Sequence, residues 1–240
     1  MTTGTTVPPP RPTPTRPARR TPRRVAWGLA ATALVCVVFL VVELPAYLGL
    51  DPARSRVPIR DDHPWHYPLL WVHIVCGSVA LLTACLQIWP WLRRRHPRVH
   101  RWSGRVYLLG GVLPGGVAVL GVAPVSSTGF VSSVGNTALG VLWLVTGVAG
   151  WRAARARRFA DHRMWMIRSV ALTFSIILNR FWIVVYVVLL SVVDPTDPEL
   201  IPHAAAASVW TSWVVNLLVA EWWFGRRRVS PAARGATSAS

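Results

Sequence analysis

Two short segments of this 240-residue chain repeat one arrangement of basic and aromatic residues. In HRWSGRVY, His100-Arg101 precedes Trp102 and Arg105; in HRMWMIRS, His162-Arg163 precedes Trp165 and Arg168. Each segment opens onto a long apolar run, so each sets an imidazole and guanidinium groups at the mouth of a hydrophobic helix. If those helices stand side by side, His100 and His162 can face each other. Two opposed imidazoles are the axial pair that a b-type haem requires, and Arg105 and Arg168 would be available to its propionates. The same residues also read as a solvated interfacial cluster in which Asp161 pairs with a neighbouring arginine.

A second group is scattered in sequence but not in depth. Ionisable side chains inside a bilayer cost about 2.5–3.5 kcal/mol each on insertion scales, so each needs a partner or a purpose. At ~1.5 Å per residue, Glu43 stands about 25 Å above the arginine-rich face, and Asn179 and Arg180 stand at roughly 21–22 Å. His73, measured from the other face through ~30 Å of hydrocarbon, reaches about 22 Å. Four polar groups from three apolar segments therefore share one level. They form either a buried site for a ligand, proton or cofactor such as a quinone, or a Glu43–Arg180 ion pair that fixes helix register with His73 beside it. Outside the apolar segments, Asp61, Asp62, His63 and His66 spell D-D-H-x-x-H, a donor set that can hold a divalent cation. Its prolines, and the usual preference of His and Trp for interfaces, favour a plain interfacial loop, and no metal is assigned. No P-loop, GxGxxG, GxSxG or HExxH is present to signal soluble-enzyme chemistry.

The elements that would position these residues follow from composition. The chain is 52% hydrophobic with 14 tryptophans, yet its formal net charge is +17. One soluble core would have to hide that apolar content, but it falls in blocks of about 18–25 residues, the length needed to cross a bilayer. Six spans are expected, at about 25–49, 68–91, 106–124, 136–151, 165–193 and 204–224. The fold class is thus an all-α, six-helix integral membrane bundle, with spans 2–5 as its core. Residues 1–24, rich in Pro, Thr and Arg, and residues 225–240 read as disordered basic tails. Arg23-Arg24 before an apolar run suggests a twin-arginine signal, but the run is too long for one, so a retained helix is expected. Cys36, Cys76 and Cys85 all lie within apolar runs, as small membrane-buried side chains.

Charge placement sets the orientation and explains the basicity. All 26 basic residues are arginine; 22 fall in the tails and in the 93–105 and 152–168 loops, against three (Arg54, Arg56, Arg60) on the opposite side. The positive-inside rule then places both termini in the cytoplasm of a bacterial plasma membrane. Asp51, Asp61, Asp62, Asp194, Asp197 and Glu199 fall on the other side. Topology accounts for the charge, so no nucleic-acid partner is expected; the lipid bilayer is. Spans 2–3 and 4–5 form two similar hairpins, each with a tryptophan (Trp91, Trp151) before its basic loop and His-Arg after it. Gene duplication and convergence on a positive-inside loop both account for this echo. Small residues at helical spacing run along span 2 (His73, Gly77, Ala80, Ala84, Gln87) and span 4 (Asn136, Gly140, Trp143, Gly147, Gly150), and Gly111 and Gly115 make a GxxxG in span 3. Such stripes let helices approach closely or leave room for a flat macrocycle.

HRWSGRVY at 100–107 and HRMWMIRSVALTF at 162–174, followed by Arg180, resemble the bacterial membrane-protein family called domain of unknown function 2306. The likeness covers about residues 70–182 and maps its pattern onto His73, Gln87, His100, Arg101, Gly104, Arg105, Tyr107, His162, Trp165, Met166, Arg168 and Arg180. It implies a multi-pass architecture and no particular activity. A looser likeness, to cytochrome b561-type haem proteins, rests on histidines at helix ends; only His73 lies well inside a span, which departs from that pattern. The functional expectation is a redox or small-ligand membrane subunit. It would hold haem through His100, His162, Arg105 and Arg168, or a small ligand through His73, Glu43, Asn179 and Arg180. The rival classes are a proton-coupled carrier and a non-catalytic membrane scaffold.

Overall fold

A computed structural model of the chain describes residues 23–196 and 198–229. The tail assignments for 1–22 and 230–240, and the placement of Asp197, lie outside the described residues. Arg23 and Arg24 already open the first helix, and the last continues to Val229, past the boundary expected at 224.

Ten α-helices occur among the described residues: α1 (Arg23–Glu43), α2 (Pro45–Leu48), α3 (His66–Ile88), α4 (Pro90–Arg95), α5 (Pro97–Arg105), α6 (Leu113–Val122), α7 (Phe130–Arg155), α8 (Phe159–Thr173), α9 (Ser175–Val193) and α10 (Leu200–Val229). Six segments are long and apolar enough to cross a membrane, with mean hydropathies from 1.3 to 2.6. No strand is present among the described residues.

Prolines punctuate the chain where sequence physics expects them. Pro45, Pro90 and Pro97 each sit in the first turn of a new helix, where the missing N–H costs nothing and the fixed φ suits the helix. Pro114 acts differently. Its ring would clash with the carbonyl four residues back and its amide cannot bond there; just before it, Val106–Val112 widens into a π-helical stretch. The third crossing therefore runs unbroken from Pro97 to Val125 with one slackened turn. Gly129 begins α7 at φ 91°, a conformation that suits glycine.

The fifth crossing departs from the single span expected at 165–193. It is two helices that meet at Phe174, with neither Pro nor Gly at the junction. Thr173 Oγ1 bonds back to the Ser169 carbonyl at 3.0 Å, and Ser175 Oγ to that of Leu172 at 2.5 Å. Hydroxyls that capture helix carbonyls in this way bend helices.

The core lies between α3, the π-helical stretch, α7 and α8, and holds Ala80, Ala84, Tyr107, Val112, Trp143 and Leu172. The small-residue stripes serve close packing there. A Cβ on Gly111 would meet that of Ala80 at 2.7 Å, and one on Gly150 would meet Met166 Sδ at 2.7 Å. A buried hydrogen-bond cluster ties the layers together: Tyr107 Oη lies 2.7 Å from Ser169 Oγ and 2.8 Å from Thr173 Oγ1, and Trp143 Nε1 donates to Thr173 Oγ1 at 2.9 Å. By contrast α1 is peripheral, with 6% of its apolar window buried against 50% for the third crossing. It leans on α3 through Cys36, Leu40 and Leu81. One turn higher, it reaches across to α9.

Candidate functional site

That reach is made by Glu43, at the last residue of α1, where Pro45 stops the helix. One carboxylate oxygen lies 3.3 Å from Arg180 Nε on α9, and the other lies 3.5 Å from Arg56 Nη1 in the loop after α2. Arg56 is fixed in turn by donating Nη2 to the Val42 carbonyl at 2.9 Å. The expected Glu43–Arg180 pair is thus present, but a second arginine shares the carboxylate. The Glu43 side chain is 17% exposed, while those of the two arginines are 44% and 47% exposed. The acid is therefore sheltered and the guanidinium groups reach outward, as long basic side chains do near a membrane surface. The group carries one net positive charge.

Beneath it lies a cavity of about 350 Å³, whose wall includes Glu43, His73, Asn136, Trp143, Asn179 and Arg180. All four residues matched by depth from the sequence line this one chamber. His73 Nδ1 lies 2.9 Å from the Gly115 carbonyl. A carbonyl only accepts, so Nδ1 carries the proton, and in the neutral ring Nε2 keeps a lone pair. Among the described residues no donor engages Nε2. Asn179 is committed, giving its amide to Ser208 Oγ at 2.9 Å on α10 while its carbonyl lies 3.5 Å from Arg180 Nη1. Asn136 is different: among the described residues its amide has no hydrogen-bond partner. Nearby on α7, Ser132 also lines the chamber and is 2% exposed, and its Oγ has no partner among the described residues. The floor is apolar, with Leu40, Leu81 and Leu172.

Arg56, Asn136 and Ser132 were not singled out as site residues from the sequence. Asn136 appeared there only as the end of a packing stripe. Its distance of two turns from Trp143 along α7 was the available signal, because that spacing puts both on one helix face.

At the arginine-rich end the second group is arranged otherwise. His162 Nδ1 donates to the Gly150 carbonyl at 2.8 Å. The His100 carbonyl accepts from Gln87 Nε2 at 2.9 Å, while its ring Nδ1 is buried with no partner among the described residues. The two arginines assigned to propionates are engaged elsewhere. Arg105 stacks over Trp102 at 5.5 Å. Arg168 grips Glu221 of α10 through two bonds of 2.5 and 2.9 Å and lies 4.8 Å from the Trp165 ring centre. Glu221 was also missed from sequence, although it is the one acid of the last span.

In the D-D-H-x-x-H loop, Arg60 clamps Asp62 at 2.9 and 2.5 Å, and His63 Nδ1 lies 3.1 Å from the same carboxylate. Arg60 first, and then His63, hold the Asp62 carboxyl well below the usual carboxylate range. His66 is fully buried and turned to the Arg60 amide. No cluster of three metal-ligating side chains occurs among the described residues.

Six crossings, a sheltered ion cluster at one end and a polar chamber beneath it define a multi-pass membrane protein. The family model described as "Predicted membrane protein (DUF2306)" matches residues 70–224, and the chain belongs to that family. The match extends beyond 182, where the motif likeness stops, to residue 224 within α10. In the structure α10 packs on α7, α8 and α9. No curated protein and no solved structure matches the chain.

Proposed function

We propose that the chain is a small-ligand-binding membrane subunit whose outer chamber takes a quinone-like molecule. The observation that supports this reading is the pairing of an uncommitted acceptor with an uncommitted donor on walls that are otherwise largely apolar. His73 Nε2 accepts from a quinol hydroxyl, and the Asn136 amide donates to a quinone carbonyl. Trp143, in edge contact with the His73 ring at 6.4 Å between centres, offers the aromatic face. Unused polar groups in an apolar recess are the usual mark of a binding site, and about 350 Å³ is at the lower end of the size such sites have. A hydrocarbon tail leaves between α1 and α9, where Phe39 and Ile183 flank the chamber.

This reading is preferred to haem at the arginine-rich end, where Arg105 and Arg168 are already engaged and the crossing of α7 and α8 at Gly150 is tight. On the same reading the arginine-rich end faces the cytoplasm of a bacterial plasma membrane. The test is a titration of the purified protein in nanodiscs with short-chain ubiquinone and menaquinone analogues and with their reduced quinols. Saturable quinone binding that weakens about tenfold in Asn136→Ala is expected, and quinol binding that weakens about tenfold in His73→Ala, each loss matching one hydrogen bond of about 1.4 kcal/mol. Binding with equal affinity in both variants would place any quinone elsewhere. No binding at all would leave the chamber's polar groups to a carrier or a scaffold role.

A further inference from the structure

Serine hydroxyls within helices commonly bond back to a carbonyl three or four residues earlier. Ser78 does so to Ile74 and Ser103 to Val99, each at 2.8 Å, and Ser208 does so to Ala205 at 2.7 Å. Ser132 breaks the habit. It is 2% exposed, yet its Oγ has no partner among the described residues. The cause is its place in the first turn of α7, which begins at Phe130. Thr128, four residues back, precedes the helix, and the Gly129 carbonyl accepts from the Ser133 amide at 3.0 Å. A buried hydroxyl left in this state is destabilising unless something outside the chain bonds it.

That turn is pinned. Trp210 Nε1 on α10 donates to the Val131 carbonyl at 3.1 Å, and a Cβ on Gly135 would meet Val209 at 2.7 Å, so α7 lies hard against α10 there. Ser132 and Asn136 both line the chamber. Four residues apart, they stand one turn apart on one face of α7, with Cβ atoms about 5–6 Å from each other. The other serine and threonine hydroxyls of the wall, on Ser78, Ser126, Thr128, Thr173, Ser175 and Ser212, are all bonded. Ser132 is therefore the hydroxyl of this wall that the protein leaves for a ligand, and it adjoins the amide that is also left.

Resting on the reading that the chamber takes a quinone, we propose that Ser132 reads the ring position beside the carbonyl held by Asn136. The chamber then selects a quinone that carries an ether oxygen, an alkoxy group, next to that carbonyl. Two oxygens on neighbouring ring carbons leave the same edge of the ring, and Asn136 and Ser132 meet that edge from one helix face. Asn136 donates to the carbonyl, and the Ser132 hydroxyl donates to the ether oxygen. A ring with a methyl group in that position leaves the hydroxyl buried and unpaired. Sites built to hydrogen-bond an oxygen disfavour the analogue lacking it for this reason.

The test is a cycle that crosses two ligands with two chains. Decylubiquinone, with methoxy groups beside its carbonyls, and decylplastoquinone, with methyl groups in their place, are titrated into the native chain and into Ser132→Ala in nanodiscs. The native chain is expected to bind the methoxyquinone about fivefold more tightly, the difference made by one neutral hydrogen bond. In Ser132→Ala the two quinones bind alike, and the methylquinone binds no more weakly than to the native chain. Because the hydroxyl has no partner within the protein, Ser132→Ala does not lower the midpoint of thermal unfolding of the ligand-free chain in detergent. Equal affinities in the native chain, a preference that survives in Ser132→Ala, or a lowered midpoint in that variant overturns the inference. Binding of neither quinone to the native chain overturns the reading of the chamber itself, and this inference with it.

Discussion

Glu43 is the residue whose removal says most about how the chamber is held. Glu43→Gln leaves two guanidinium groups, now 3.3 and 3.5 Å from the carboxylate, facing each other without a negative charge between them. At an effective dielectric near 20, one such contact at about 4 Å amounts to about 4 kcal/mol. Both arginine side chains are nearly half exposed, and solvent and lipid headgroups screen most of that, leaving about 1–2 kcal/mol for the whole cluster. For a chain of this size the midpoint of thermal unfolding in detergent falls by about 3–6 °C. Arg180→Gln and Arg56→Gln each cost less, because Glu43 keeps the other arginine. Combining Glu43→Gln with Arg180→Gln recovers part of the loss, and only the triple variant recovers most of it. A thermal-shift cycle over these variants measures the coupling. Strictly additive losses, or a silent Arg56→Gln, would show that the carboxylate is not shared and that the reasoning is wrong.

Two other outcomes follow from the ends of the bundle. A cysteine at Ser126 or Thr196 is expected to react with an impermeant thiol reagent in intact cells, whereas one at Ala154 is not; labelling at Ala154 refutes the orientation. Asp62, whose carboxyl is depressed by Arg60 and His63, tightens its loop at pH values above the ordinary carboxylate pKa of ~3.9. That contribution is lost as pH falls below this value toward the depressed one. Limited proteolysis at 51–65 should therefore accelerate on acidification in the native chain and already be fast at neutral pH in Asp62→Asn; an unchanged native profile contradicts the link.

The six crossings were legible because hydropathy and the bilayer's thickness act on whole segments, and arginine placement separated the two ends. Depth arithmetic also worked for Glu43, His73, Asn179 and Arg180, since rise per residue is nearly constant in helices anchored at known faces. It failed to find Arg56, because a loop residue has no fixed depth and reaches Glu43 only through the turn that Pro45 forces. The bend at Phe174 was hidden for another reason: Thr173 and Ser175 bend the helix through side-chain bonds to the backbone, a choice that sequence leaves open. Glu221 was not legible as the partner of Arg168, because the pair forms only through the packing of α10 on α8, which sequence leaves open. His100 and His162 lie near the starts of α5 and α8. Their arginines, though, find Trp102 and Glu221 first.

The central claim is that the chamber beneath the Glu43 cluster holds a quinone-like ligand between His73 and Asn136. A photoreactive azidoquinone, added to the native chain in nanodiscs, tests it most directly by peptide mapping of the label. The account predicts label on α3 and α7 around these two residues, displaced by unlabelled quinone and lost in Asn136→Ala. Label confined to the arginine-rich end, or spread evenly over lipid-facing Phe181, Val184 and Val188, would contradict it.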